Sequence, residues 1–143
     1  MSLDPHNLLA EVHPDLVRVV NLAAQTPQPF QVVYGLRTLA AERQAVESGH
    51  SETLHSRHLA DPRYGGMAMA VDLAALTDGV IDWTVADADG GIYGLIGAQV
   101  LDAAAALGIR VQWGGEKVGA WVDGQVSHFR DWGHIQLSAS EYP

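Results

Sequence analysis

The chain has 143 residues, 48% apolar and 17% charged, with no cysteine. That is room for one domain with a core and a cleft, and it excludes a disordered chain, a disulfide scaffold, a thiol nucleophile and any cysteine-held zinc. Eight Lys and Arg stand against seventeen Asp and Glu, a formal net charge of −9, so the chain has neither the basic footprint a nucleic-acid partner requires nor a polybasic membrane anchor.

The opening segment, MSLDPHNLLAEVHPDL, has no basic region and no unbroken apolar run, so it does not read as a signal peptide. The expectation is synthesis in the cytoplasm. Residues 14–25 predict a first helix: Pro14 suits a first turn, and Leu16, Val19, Val20 and Ala23 recur at helical spacing. Residues 30–35 (FQVVYG) predict a short strand. Thr38 is placed to cap a second helix running to about Ser48, with Gly49 as its stop. Residues 50–66 carry turn signals without a period and read as loop.

Residues 67–75 (MAMAVDLAA) alternate. Met67, Met69, Val71 and Leu73 form a core face, and Ala68, Ala70, Asp72 and Ala74 a floor of small side chains bearing one carboxylate. A third helix is predicted over 92–107, ending at Gly108. It is interrupted by Gln99 and Asp102 and is too short and polar to span a membrane. Residues 109–113 predict a strand closed by Gly114-Gly115. Residues 134–138 predict the last strand, with His134 and Gln136 on one face and Ile135 and Leu137 on the other. No repeat or linker divides the chain, so residues 1–143 are expected to form one domain, with 1–29 as an N-terminal helical segment. The element order does not suit a regular βαβ array. It predicts an α+β fold, a small antiparallel sheet with helices packed on one side.

Four of the seven histidines lie in or beside two short stretches. One is His55-Ser56-Arg57-His58, followed by Asp72; the other is Asp131-Trp132-Gly133-His134. Two histidines and a carboxylate are a standard ligand set for catalytic zinc, with a fourth position left for water. Such a set leaves a charge near +1, and zinc lowers the pKa of water from about 15.7 to about 7. Asp131, three residues before a candidate ligand, could take a proton from that water and return it to a leaving amine. Spacing alone leaves other readings open. Asp72 could be a strand-edge acid, the histidines loop residues and Asp131 a turn cap, and a His55/His58 pair would chelate only if that loop were helical. His6, His13 and His50 read as bystanders.

Taken together, the motifs resemble the zinc peptidases that include D-alanyl-D-alanine carboxypeptidases and phage L-alanyl-D-glutamate endopeptidases. Ser56-Arg57-His58, Ala70-Val71-Asp72-Leu73 and Asp131-Trp132-Gly133-His134 match the three parts of the family pattern. Gly35-Leu36-Arg37-Thr38 with Glu42-Arg43-Gln44 resembles its entry to the second helix. Trp113-Gly114-Gly115, Phe129-x-Asp131-x-x-His134-x-Gln136 and the closing Glu141-Tyr142-Pro143 resemble the phage endolysin branch. The likeness spans residues 30–143, the metallopeptidase core.

The resemblance implies zinc in a cleft on the sheet, held by His58, Asp72 and His134. It implies Asp131 as the catalytic base and Arg37 as a guanidinium facing the substrate or the oxyanion. Ser56 and Gln136 are expected to contact substrate. The chain departs from the family in a longer interval between His58 and Asp72, in Ala68 where a glycine usually stands, and in a delayed second tryptophan, Trp121. Segments 59–67 and 116–120 therefore read as insertions beside the cleft. The implied function is hydrolysis of the peptidoglycan stem peptide. Asp rather than Glu at position 131 favours the L-Ala–D-Glu bond, cut by a phage or prophage endolysin that acts as a monomer and reaches the wall after holin release. The alternatives are a D-Ala-D-Ala carboxypeptidase and a non-catalytic zinc-containing wall-binding module.

Overall fold

A computed structural model describes residues 3–37, 47, 57–83, 91–115, 121–122, 125–126, 132–138 and 141–142. Helix α1 runs Pro14–Ala23. His13 caps it through Nδ1, which accepts the Asp15 backbone N–H at 3.1 Å, and Asp15 places negative charge at the positive end of the helix dipole. Its buried stripe is Leu16, Val19, Val20 and Ala23, the spacing that the sequence predicts. Helix α2 runs Ile92–Leu107 and stops at Gly108, whose φ of 69° is the left-handed conformation that glycine adopts without strain. The helix predicted over 38–48 lies outside the described residues, apart from residue 47.

The main sheet is antiparallel and has five strands: β1 (Phe30–Tyr34), β2 (Ala70–Thr77), β3 (Val80–Asp82), β4 (Val111–Trp113) and β7 (His134–Leu137). Its order is β1-β2-β7-β4, with β3 also paired to β2. A separate ribbon joins β5 (Trp121–Val122) to β6 (Gln125–Val126). The fold is therefore α+β, an antiparallel sheet with two helices among the described residues. Strand alternation sends Val71, Leu73, Ile135 and Leu137 into one core with Leu16, Val19, Val20, Ile96 and Val100 of the helices. Asp72, His134 and Gln136 occupy the other face.

Three differences from the sequence expectation have physical causes. First, β2 begins at Ala70 rather than Met67, because the preceding residues bond elsewhere. Ala68 N–H donates to the Glu11 carbonyl at 2.9 Å, and Met69 N–H to that of Arg57 at 2.8 Å. Second, the alanine floor is not open: Ala68, Ala70 and Ala74 are fully buried, and of that face only Asp72 keeps exposure, 26% of its side chain. Third, β3 and the β5–β6 ribbon are additional strands. Asp78 and Gly79 both have positive φ, 52° and 77°, the conformation a two-residue hairpin turn of Asp-Gly favours. The α2 residue Tyr93 then secures this hairpin. Its hydroxyl donates to the Asp82 carbonyl at 2.8 Å and accepts the Ala75 N–H at 3.1 Å.

Candidate metal centre

Two neighbouring strands and one incoming loop build the site. On β2 and β7, Asp72 and His134 are direct cross-strand partners, so their side chains stand side by side on one face. On the far edge of β2, Tyr34 of β1 is the partner of Asp72, just after an irregularity in the ladder. His58 arrives from the segment before β2. Its backbone carbonyl accepts the Arg37 N–H at 2.8 Å, and its ring lies 5.1 Å from that of His134 and 5.4 Å from that of Tyr34. Both histidines are buried, 2% and 1% exposed.

Hydrogen bonds on the outer side of each ring fix which nitrogen points inward. His58 Nδ1 lies 2.8 Å from the Gly35 carbonyl, which can only accept, so Nδ1 carries the proton and Nε2 presents a lone pair. His134 Nε2 donates to Gln136 Oε1 at 2.8 Å, which leaves its Nδ1 lone pair inward. Each inward nitrogen is 3.2 Å from the same atom, Asp72 Oδ1. Three electron-rich atoms thus meet with no proton among them, an arrangement that repels itself unless a cation sits between. The ligand atoms all lie within 4.8 Å of one another. Tetrahedral zinc with bonds of about 2.0–2.1 Å holds its ligand atoms about 3.3 Å apart. The donor set therefore fits zinc in ligand type, tautomer and spacing.

Of the other predicted site residues, Arg37 lies over the Tyr34 ring with its Cζ 4.5 Å from the ring centre, a cation–π contact that orients the guanidinium. Ser56 and Asp131 lie outside the described residues, as do His50, His55 and His128. His6 is exposed, and His13 is engaged at the α1 cap between the rings of Tyr64 and Tyr142. Gln136 differs from its expected role. It is 2% exposed and turned inward, bonded to His134 and, through Nε2, to Gln112 Oε1 at 3.0 Å. Tyr34, Gly35 and Gln112 belong to the site without having been legible as such. A polar side chain at the centre of the short strand Val111–Trp113 was the available signal for Gln112; a backbone carbonyl such as that of Gly35 leaves none.

The loop before His134 is tied from behind. Trp113 Nε1 donates to the Trp132 carbonyl at 2.8 Å, and the Gly114 N–H to the His134 carbonyl at 2.8 Å. At Gly133, a β-carbon would stand 2.4 Å from the Leu73 carbonyl oxygen, so glycine lets this segment approach β2.

Comparison with known proteins gives a consistent family. The model of the phage L-alanyl-D-glutamate peptidase family matches residues 1–138. The L-alanyl-D-glutamate peptidase of Escherichia phage T5 is 28% identical over 135 residues, 90% of each chain. The crystal structure of the Serratia marcescens L-Ala D-Glu endopeptidase ChiX is similar with a TM-score of 0.76 and 39% identity, over 95% of this chain and 87% of that one.

Proposed function

The chain belongs to the phage L-alanyl-D-glutamate peptidase family, and from that premise we propose that it is a zinc-dependent endolysin cutting the L-Ala–D-Glu bond of the peptidoglycan stem. That it is a peptidoglycan-cleaving peptidase follows from the family and its relatives. The observation that carries the metal is the convergence of His58 Nε2, His134 Nδ1 and Asp72 Oδ1, all three with lone pairs inward. When bound there, zinc supplies Lewis acidity that polarises a carbonyl and acidifies water.

The chain's own residues do the rest. Asp131, three residues before His134 in sequence, takes the proton of the attacking water on its carboxylate and delivers it to the amino nitrogen of D-Glu as the C–N bond breaks. Arg37, held against Tyr34, faces the carbonyl oxygen as negative charge develops, or a substrate carboxylate. Ser56 is assigned a contact to the stem peptide. The chain acts as a monomer, made in the host cytoplasm and released to the wall through a holin. Among the described residues no helix is long and apolar enough to cross a membrane.

Mass spectrometry of purified sacculi after digestion tests the bond. New D-Glu amino termini and free L-Ala carboxyl ends on the glycan side are expected. Release of D-Ala from pentapeptide stems without those termini would make the protein a carboxypeptidase. Elemental analysis of the same preparation is expected to find about one zinc per chain.

A further inference from the structure

The amide of Gln136 stands where an apolar side chain would cost less. It is 2% exposed, and across the ladder its partners are Ala70 on one side and Gln112 on the other. A buried amide is costly unless both its ends are bonded. Here both are: Oε1 accepts the His134 Nε2–H, and Nε2 donates to Gln112 Oε1. The geometry follows from strand period. His134 and Gln136 are two residues apart on β7 and share a face, and Gln112 is directly opposite Gln136 on β4.

The two histidines are held in different ways. His58 bonds to a backbone carbonyl, that of Gly35, which can only accept, so its tautomer is fixed by the fold. His134 bonds to an amide, which can present either an acceptor or a donor. Were Gln136 to turn its Nε2 toward the ring, the His134 proton would move to Nδ1, point at Asp72 and close that ligand position. In the structure the amide is turned the other way, its Nε2 donating to Gln112 Oε1.

We propose that Gln136, oriented by Gln112, is a positioning residue that keeps the His134 proton on Nε2 and so leaves Nδ1 free to bind the metal. This rests on the reading of His58, Asp72 and His134 as a zinc site. It assigns to the Gln112–Gln136 pair the part that a carboxylate or backbone carbonyl plays behind other metal-binding histidines.

The test is zinc affinity by chelator competition, with 15N NMR of the His134 ring, on wild type and the variants Gln136→Leu, Gln136→Glu and Gln112→Leu. Gln136→Leu is expected to weaken zinc binding about 10–100-fold, the usual effect of removing such a partner, and to move the metal-free His134 proton to Nδ1. Gln136→Glu, whose carboxylate accepts the same N–H, is expected to stay within a few-fold of wild type. Gln112→Leu is expected to fall between them, and it carries the test together with the wild-type spectrum if Gln136→Leu does not fold. Wild-type affinity in Gln136→Leu, or a zinc-loaded wild-type spectrum with the proton on Nδ1, would overturn the proposal alone. A wild-type protein that takes up no zinc would instead overturn the site reading on which it rests.

Discussion

At the scale of single residues, the proposed mechanism separates groups that bind from groups that react. His58→Ala, Asp72→Ala and His134→Ala each remove one of the three converging atoms, so zinc content and activity should fall together in all three. Asp131→Asn should behave otherwise. The ligands remain, the amide is nearly isosteric, and the lost function is proton transfer, so zinc should stay bound while turnover drops by about 10²–10⁴-fold. Zinc content and turnover measured on one Asp131→Asn preparation check this, and a zinc-loaded variant of nearly full activity would remove Asp131 from the mechanism.

At the scale of elements, the site depends on how closely β7 lies against β2 and on how the C-terminal end is fastened. A β-carbon at Gly133 would meet the Leu73 carbonyl at 2.4 Å, and the Leu73 N–H bonds to the Gly133 carbonyl at 2.8 Å. Gly133→Ala should therefore push the start of β7 away, costing about 1–3 kcal/mol as overpacking does and weakening zinc binding through the adjacent His134. Denaturant unfolding and zinc titration of the variant measure the two effects. The C-terminal fastening is Tyr142, whose hydroxyl donates to Asp15 Oδ2 of α1 at 2.7 Å. Its carbonyl accepts from Arg57 at 2.8 Å, beside His58.

Burial, then the bond to Asp15, then the nearby charges of Asp15 and Glu141 push the Tyr142 hydroxyl up to about 12. An unfolded tyrosine titrates near 10, so the folded state holds this proton longer. Its contribution to stability is then complete below about pH 10 and lost as pH rises toward 12. Stability should fall more steeply over that window in wild type than in Tyr142→Phe. Equal slopes in denaturant unfolding at each pH would show that the fastening contributes nothing.

At the scale of the whole molecule, the core and the candidate metal centre lie on opposite faces of one sheet. The buried cluster that joins α1 and α2 to the sheet through Leu16, Val19, Ile96, Val100, Leu73 and Ile135 lies on the face of β2 and β7 opposite Asp72 and His134. Removing zinc with a chelator should therefore abolish activity yet leave the far-UV circular dichroism and a cooperative unfolding transition. Returning zinc at a hundred times its dissociation constant should add about 2.7 kcal/mol of stability. Collapse of the circular dichroism on chelation would mean that the metal holds the fold together rather than serving the reaction.

The sequence by itself determined the local elements and named the three residues that converge at the candidate site. α1 and α2 were legible because an apolar stripe, a first-turn proline and a stop glycine act within a few turns of chain. β7 and its two faces were legible because side chains alternate along a strand. His58, Asp72 and His134 were named through order and spacing shared with a family, since ligand types repeat where a metal must be held. Two hairpin signals, Asp78-Gly79 and Asp123-Gly124, are also present in the sequence, but each adjoins at least one strand of only two or three residues, too short to show a period. What only the tertiary structure decided were relations between distant segments. It showed that β2 is covered on both faces, that Gly35 lends a carbonyl to His58, that Tyr34 supports Arg37, and that Gln136 turns inward to His134 with Gln112 behind it. Strand period puts Gln136 on the face of His134, but whether its amide meets a substrate or a ring nitrogen depends on which strand lies alongside, and that pairing is set by the packing of the whole sheet.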